Sequence, residues 1–524
     1  MTVSAIGRPK PWRLQKVLCL TLAALASVSA VLLTLTYWNL PVGESGYRQF
    51  LHRRPKSFRE LYRTHSETLN ADQQQVVDMT RHAWRGYRKF ADWSDYLDVQ
   101  SLKGGTVYYH DMALTAVDSL DTLFLMGLHD EFDEASAWVK ANLSSVMFQE
   151  GTVSFFEVTI RSLGGLLSAF YLSGEQHFLS IAENLGAALQ KGFTCGNGVP
   201  YHLVELEGNE SYGKPFLSEV STFQLEFEYL ARATKNASFL DPVKHINNIL
   251  IDVVKRRYPN GLIPVSMDWT KMQAEQGSII SMGAYGDSYY EYLLKQWLLT
   301  GKQDKQLREM YITAVDGMRA KLIGRSYPSK YAFVGKISVT GDLDAEMEHL
   351  TCFVPGMLAL GYMHGMPTSH LDLAKELTET CAQMYLQSES HLAPEKAQFV
   401  TEPEGINQIG SELFVYPPKD FNILRPETIE SLMILYRITG DEIYREYGRT
   451  IMAAFEKHCK IPAGGYRSTS NVWSGVPTDS KRGIMESFFI SETLKYLFLL
   501  FSDNSILPLD EIVFNTEAHP FPIQ

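Results

Sequence analysis

From Gln75 onward one pattern recurs along the chain: an apolar helix-like run, a short polar break often carrying glycine, then an amphipathic run. The breaks fall at Gly127–Asp130, Ser173–Glu175, Thr234–Asn236, Thr300–Lys302, His364–Met366, Thr439–Asp441 and Ser502–Asn504, seven in all and 47 to 75 residues apart. Stretches that follow them, such as Phe178–Leu185 and Tyr444–Ile451, carry apolar residues at helical spacing. The glycines near first-helix ends suit a left-handed C-cap. Seven irregular helical hairpins in one continuous domain predict a closed ring of paired helices, although an open solenoid has the same local signature. Short strands are expected in connecting loops such as Gly198 to Glu205 and Tyr331 to Val339.

The N-terminus adds a different element. Val17 to Trp38 is 22 residues without a charge, long enough to span a bilayer. Arg8, Lys10, Arg13 and Lys16 precede it and Glu44 follows, so the positive-inside rule places residues 1–16 in the cytosol and everything after Trp38 in a lumen. The alternative is a cleaved signal peptide, whose apolar region is usually shorter. Residues 39–75 are polar and basic and read as a stem, leaving 76–524 as the folded domain. Four basic residues and no acid in the first 38 leave −16 for the rest of a chain whose net charge is −12. A surface that acidic repels phosphate backbones and argues against nucleic-acid binding.

In a lumen, Asn142-Leu143-Ser144, Asn209-Glu210-Ser211 and Asn236-Ala237-Ser238 are glycosylation acceptors. Cys19 falls in the span; Cys195, Cys352, Cys381 and Cys459 allow three pairings. A Cys352–Cys381 bridge would close a loop of about 30 residues, worth roughly 3–4 kcal/mol in the chain-entropy model. Two buried thiols are the competing reading.

Seven acidic residues sit in or beside strongly apolar segments: Glu157, Glu219, Asp287, Glu427, Glu430, Glu492 and Glu517. A buried carboxylate costs several kcal/mol unless paired, hydrogen-bonded or bound to a metal. Repetition of the pattern points to a carboxylate-lined pocket, suited to acid–base chemistry on a sugar or to a hard cation. Glu157 and Arg161 are four apart on one helix face, either a tuned acid or a structural ion pair. Glu427 and Glu430 also share a face, behind Arg425-Pro426, where dipole complementation is the simpler account. Phe488 stands one turn from Glu492, giving a sugar a ring to stack on and an acceptor, or merely packing. Thr516-Glu517 offers hydroxyl, carbonyl and carboxylate oxygens that suit calcium. No phosphate-binding glycine loop, Cys-x-x-Cys, His-Glu-x-x-His or Gly-x-Ser-x-Gly occurs, so nucleotide, zinc and serine-nucleophile chemistry lack support.

Together Thr115–Leu123, Phe156–Ala169, Gly286–Lys295, Leu424–Ser431 and Val513–Pro520 resemble the class I α-1,2-mannosidases, glycoside hydrolase family 47, from about Val76 to the C-terminus. The resemblance implies an all-α (α/α)7 barrel and an inverting, calcium-dependent exo-mannosidase that trims Man9GlcNAc2-type N-glycans of glycoproteins. It implies Glu157 as general acid, Glu427 as general base and Asp287 as a third catalytic carboxylate. Thr516 would bind Ca2+ through its hydroxyl and carbonyl. Glu430, Glu492 and Glu517 would hold calcium-bound waters and sugar hydroxyls, and Arg161, Glu219, Arg425 and Phe488 would line the pocket. The family disulfide matches Cys352 and Cys381. A single-pass anchor in the endoplasmic reticulum or Golgi and a monomeric luminal domain complete the expectation. Tyr285 departs from the pattern: endoplasmic-reticulum members resemble one another in an arginine there, and Golgi members in a smaller apolar residue. The rival is a mannosidase-like lectin that recognises high-mannose glycans on misfolded glycoproteins.

Overall fold

The structure, a computed structural model, describes residues 69–107, 111–194, 197–474, 477–479 and 483–524. The expected cytosolic tail, the span 17–38, most of the stem and Cys195 lie outside them. Among the described residues the one stretch long and apolar enough to cross a membrane is Phe155–Ser173, 78% buried in the protein core.

Fourteen helices carry the architecture. They are α1 (Ala71–Phe90), α2 (Leu114–Leu125), α3 (His129–Trp138), α4 (Gly164–Ser173), α5 (Gln176–Leu189), α6 (Gln224–Thr234), α7 (Leu240–Arg256), α8 (Asp287–Leu299), α9 (Lys305–Lys321), α10 (Phe353–Met363), α11 (Thr368–Leu386), α12 (Glu427–Thr439), α13 (Ile443–His458) and α14 (Lys495–Leu500). The first begins at Ala71, inside the stretch read as stem, because Asn70 and Gln73 form a reciprocal capping box there.

Each even-numbered helix packs on the next, α2 on α4, then α6, α8, α10, α12 and α14, and the segment Phe489–Leu494 ahead of α14 packs back on α2. That closes a ring, and the solenoid alternative falls. The odd-numbered helices form an outer layer. The sequence pattern follows from this layering. Every residue of α2 and α14 is buried, whereas outer α7 buries a stripe of Val243, Ile246, Leu250, Val253 and Val254. Gly165 allows α4 to lie close against α2, since a Cβ there would stand 2.6 Å from the Val117 carbonyl oxygen.

Six of the seven breaks turn an inner helix into its outer partner, and Gly174 and Gly440 adopt the left-handed C-cap expected. At Thr234–Asn236, Lys235 takes that conformation instead. The break at Ser502–Asn504 differs from expectation. A two-stranded hairpin, Ile512–Phe514 with Pro520–Pro522, follows it instead of a helix. The seventh pair joins α14 to α1, from the two ends of the fold. Strands Leu203–Glu205, Ala332–Val334 and Lys336–Ile337 occupy the loops where strands were expected. A disulfide joins Cys352, just before α10, to Cys381 in α11, while Cys459 is a buried thiol.

Candidate functional site

Asp287 and Glu427 are the first residues of inner helices α8 and α12, where the helix dipole favours a negative charge. One turn deeper lie Glu291 and Glu430, and one turn deeper on α8 is Lys295. Lys295 bonds to Glu291 and lies 3.5 Å from Glu430, both partners being buried. A lysine buried on an inner helix is tolerable only with such pairing.

Two π-helical stretches bring in the next groups. Val158–Leu163 presents Arg161 and Phe489–Leu494 presents Glu492. Such bulges recur at functional sites because the wider turn re-aims side chains. Arg161 Nε donates to Glu157 Oε2 at 2.8 Å, and its Nη1 donates to Glu517. Glu517 occupies the tip of the hairpin, whose preceding Asn515 Nδ2 donates to the Ile160 carbonyl at 3.0 Å and to Glu226 Oε1 at 2.8 Å. The Thr516 backbone N–H donates to the Tyr292 hydroxyl at 3.4 Å.

On the α12 side, His349 Nδ1 lies 2.9 Å from Glu427 Oε2 and its Nε2 lies 2.9 Å from the Tyr385 hydroxyl. Arg425 donates two bonds to Glu395, at 2.7 and 2.6 Å, and its Nη1 lies 3.8 Å from Glu427. The guanidinium carbons of Arg161 and Arg425 lie 5.8 and 6.0 Å from the centre of the Phe488 ring. Glu219 accepts from the Phe216 backbone N–H at 2.8 Å and lies 2.7 Å from His202 Nδ1, so one of its oxygens serves as a helix cap. At the rim, Tyr285 is 53% exposed and stacks on Phe216 with ring centres 4.1 Å apart.

The electrostatics divide these acids. Burial pushes Asp287 up to about 7, and the charges of Glu291, Glu348 and Glu427 add to it. Burial also lifts Glu430 to about 7 against the pull of Lys295. Glu492 is driven well above the usual range by burial and by Glu517 and Glu427. Glu427 goes the other way: burial would raise it, but the His349 hydrogen bond and Arg425 hold it low. The pocket therefore pairs a carboxylate kept ionised with one kept protonated near neutral pH, the division that acid–base catalysis requires.

One electrostatic demand is unmet by protein groups. Glu492 is 8% exposed, and no described donor or cation lies within bonding distance of it. The Thr516 hydroxyl has no described partner either. Excess negative charge beside free oxygen ligands fits a hard divalent cation such as calcium. Among the described residues no three His, Cys, Asp or Glu side chains converge closely enough to chelate an ion by themselves.

The six acids Glu157, Asp287, Glu427, Glu430, Glu492 and Glu517 thus join one network through Arg161, Lys295 and their mutual repulsion, and Glu219 reaches it through His202. Sequence reasoning assigned no role to His349, Glu395, Lys295, Asp118, Asp121, Glu226 or His519. Asp118 and Asp121, three apart in a largely apolar run, carried a usable signal; His349, at the start of a short 3-10 turn, and Glu395, in a bend, lie in unpatterned segments and carried none.

A ring of seven inner and seven outer helices around a carboxylate well defines an (α/α) toroid with a central polar pocket. Glycosyl hydrolase family 47 matches residues 79–523, and the chain belongs to that family. It is 42% identical over 461 residues to the "Endoplasmic reticulum mannosyl-oligosaccharide 1,2-alpha-mannosidase" of Homo sapiens, covering 87% of this chain and 64% of that protein. The Rattus norvegicus protein of the same name is also 42% identical, with 87% and 68% covered. The chain thus spans about two thirds of the length of these relatives. Similarity extends to "Mannosyl-oligosaccharide 1,2-alpha-mannosidase MNS3" of Arabidopsis thaliana, 38% identical over 502 residues, 87% of this chain and 79% of that one. Among solved structures, the alpha-1,2-mannosidase from Trichoderma reesei superposes with a TM-score of 0.78 at 26% identity, covering 86% of this chain and 99% of that one.

Proposed function

We propose that this chain is a calcium-dependent, inverting exo-α-1,2-mannosidase that trims Man9GlcNAc2-type N-linked glycans on glycoproteins. The observation that carries this reading is the opposed tuning of Glu427, held ionised by His349 and Arg425, and Asp287, held protonated by its surroundings. The names of the similar proteins supply the substrate class.

Glu427 acts as the base that takes a proton from the attacking water. Glu157 acts as the general acid toward the glycosidic oxygen, directly or through a water. Its Oε2 accepts from Arg161 Nε, which leaves Oε1 as the oxygen to serve the leaving group. Asp287, held up to about 7 by burial, is the third catalytic carboxylate. Inversion needs acid and base roughly 6.5–9.5 Å apart to admit the water. Phe488, braced by two guanidiniums, offers an apolar face to a sugar ring, and Glu430, Glu492 and Glu517 accept from its hydroxyls. Thr516 would hold calcium through its hydroxyl and carbonyl. When bound, the ion supplies Lewis-acid contacts to sugar hydroxyls.

The proposed setting is the lumen of the endoplasmic reticulum or Golgi, with 17–38 as anchor, 39–75 as stem and 76–524 as the catalytic domain, acting as a monomer. Purified protein incubated with a Man9 glycan should lose mannose in a chelator-sensitive manner. Glu427→Gln and Glu157→Gln should each lower turnover about 10²–10⁴-fold while near-ultraviolet circular dichroism stays unchanged. Tight glycan binding with no product from the wild type would overturn the enzyme in favour of the lectin. Near-normal release by either variant would remove that residue from its role.

A further inference from the structure

Beneath the pocket lies a second polar cluster that the reaction does not use. His519 is fully buried, with Nε2 3.0 Å from Asp118 Oδ1 and Nδ1 2.8 Å from Asp121 Oδ2. Both aspartates sit on α2, three residues apart. Asp121 also accepts from Lys495 Nζ and from Ser168 Oγ, each at 2.9 Å. Asp118 accepts from Ser491 Oγ at 3.1 Å and lies 3.7 Å from Arg161 Nη1. A carboxylate at each ring nitrogen leaves no place for an imidazole lone pair, so both nitrogens donate and the ring carries a charge.

The backbone around His519 is tied as firmly. Its N–H donates to Asn515 Oδ1 at 2.8 Å, its carbonyl accepts from the Asn515 N–H at 2.9 Å, and the Glu517 N–H donates to the same Oδ1 at 2.9 Å. Lys495 Nζ donates to the Ala518 carbonyl at 2.8 Å, and Ala518 itself has a φ of 60°. A non-glycine residue in the left-handed region persists only where its surroundings impose it. Thr516 and Glu517 are the tip of this turn.

We propose that His519 is a positioning residue: donating from both ring nitrogens into α2, it fixes the Thr516–Glu517 turn so that a cation and the sugar find their oxygens in place. Through Asp118 the same clamp reaches Arg161, and so Glu157. The proposal deepens the calcium-dependent reading and rests on it.

The test uses the full chain stripped of metal. His519→Gln keeps one donor and loses the charge. The expected result is a calcium dissociation constant raised at least tenfold, with near-ultraviolet circular dichroism retained well below the melting temperature. Ser168→Ala removes a neutral bond from the same aspartate and should leave calcium affinity unchanged. Nitrogen-15 spectra of the wild type should show both His519 ring nitrogens protonated. Wild-type affinity in His519→Gln, an equal loss in Ser168→Ala, or a neutral tautomer of His519 at neutral pH each overturns the clamp. If His519→Gln fails to fold, Asp121→Asn, which keeps an acceptor but not its charge, should raise the constant severalfold, and no rise overturns the proposal. If the wild type binds no calcium, the metal reading fails instead. The clamp is then read from KM on the glycan, where a tenfold rise at little-changed kcat supports it and an unchanged KM overturns it.

Discussion

Replacing Glu226 by glutamine isolates the electrostatic load that this pocket places on the fold. Glu226 lies on α6, wholly buried, with Oε1 accepting from the Tyr292 hydroxyl at 2.7 Å and from Asn515 Nδ2 at 2.8 Å. Its Oε2 meets no donor among the described residues. Burial pushes the carboxyl up to about 7, the two donors opposing it only in part. The unfolded chain ionises near 4.5, whereas the folded chain keeps the proton until about 7. Stability from this group is therefore full at acid pH, falls by about 1.4 kcal/mol per pH unit between those values and is flat above them, about 3 kcal/mol in all. Glutamine keeps the Oε1 acceptor and does not titrate. Its amide hydrogens face the orphan position, which adds a pH-independent cost of about 1–3 kcal/mol. The melting-temperature difference between variant and wild type should then climb in the variant's favour from pH 4.5 to 7 and level off. With unfolding entropy near 2.1 cal/mol/K per residue, the climb is about 3 °C for a domain of this size. Differential scanning fluorimetry at fixed scan rate on metal-free protein reads it. Asp287 and Glu430 titrate in both proteins and cancel. Parallel curves across the whole range would refute the assignment of a buried, proton-holding Glu226.

Other outcomes follow from single contacts. Substituting both Cys352 and Cys381 by serine opens a crosslink spanning 29 residues of sequence. It should cost about 3–4 kcal/mol of stability, and a melting temperature indifferent to reductant would contradict this. His349→Ala removes the bond that holds Glu427 low, so the acid limb of the kcat/KM profile should move to higher pH; a limb that stays put clears His349 of that task. Tyr285→Ala unstacks the rim pair with Phe216 and should lower unfolding stability by about 0.5–1.5 kcal/mol, read by denaturant titration; an unchanged midpoint would contradict a contributing stack.

Much of the ring was legible because an inner helix of a toroid is apolar on every side and its outer partner on one. That contrast marks six hairpins directly. The seventh pair was hidden because its members, α1 and α14, lie at opposite ends of the sequence and no local break joins them. The acids were legible for the same reason as the ring: a charge inside an apolar run is conspicuous. Their partners were not. Lys295 reads as an ordinary solvated lysine until the ring shows that its helix has no solvent face. Glu395 lies in a bend and His349 opens a single 3-10 turn, too short for periodicity, and only tertiary packing sets them beside Arg425 and Glu427. Glu219 was singled out as pocket lining, and the structure shows that part of its capacity is taken by capping the helix that carries it.

The pairing of α14 with α1 has a consequence for how the domain comes apart. A linear array of helical repeats can fray one unit at a time from either end, each loss exposing a single new face. Here the first and last helices cover one another, and every inner helix is flanked on both sides. Releasing any one of them strips two faces at once and leaves charges such as Lys295 or Asp121 without partners in an apolar surround. Melting by pieces is thereby suppressed, and the carboxylate well persists or vanishes with the circle as a unit.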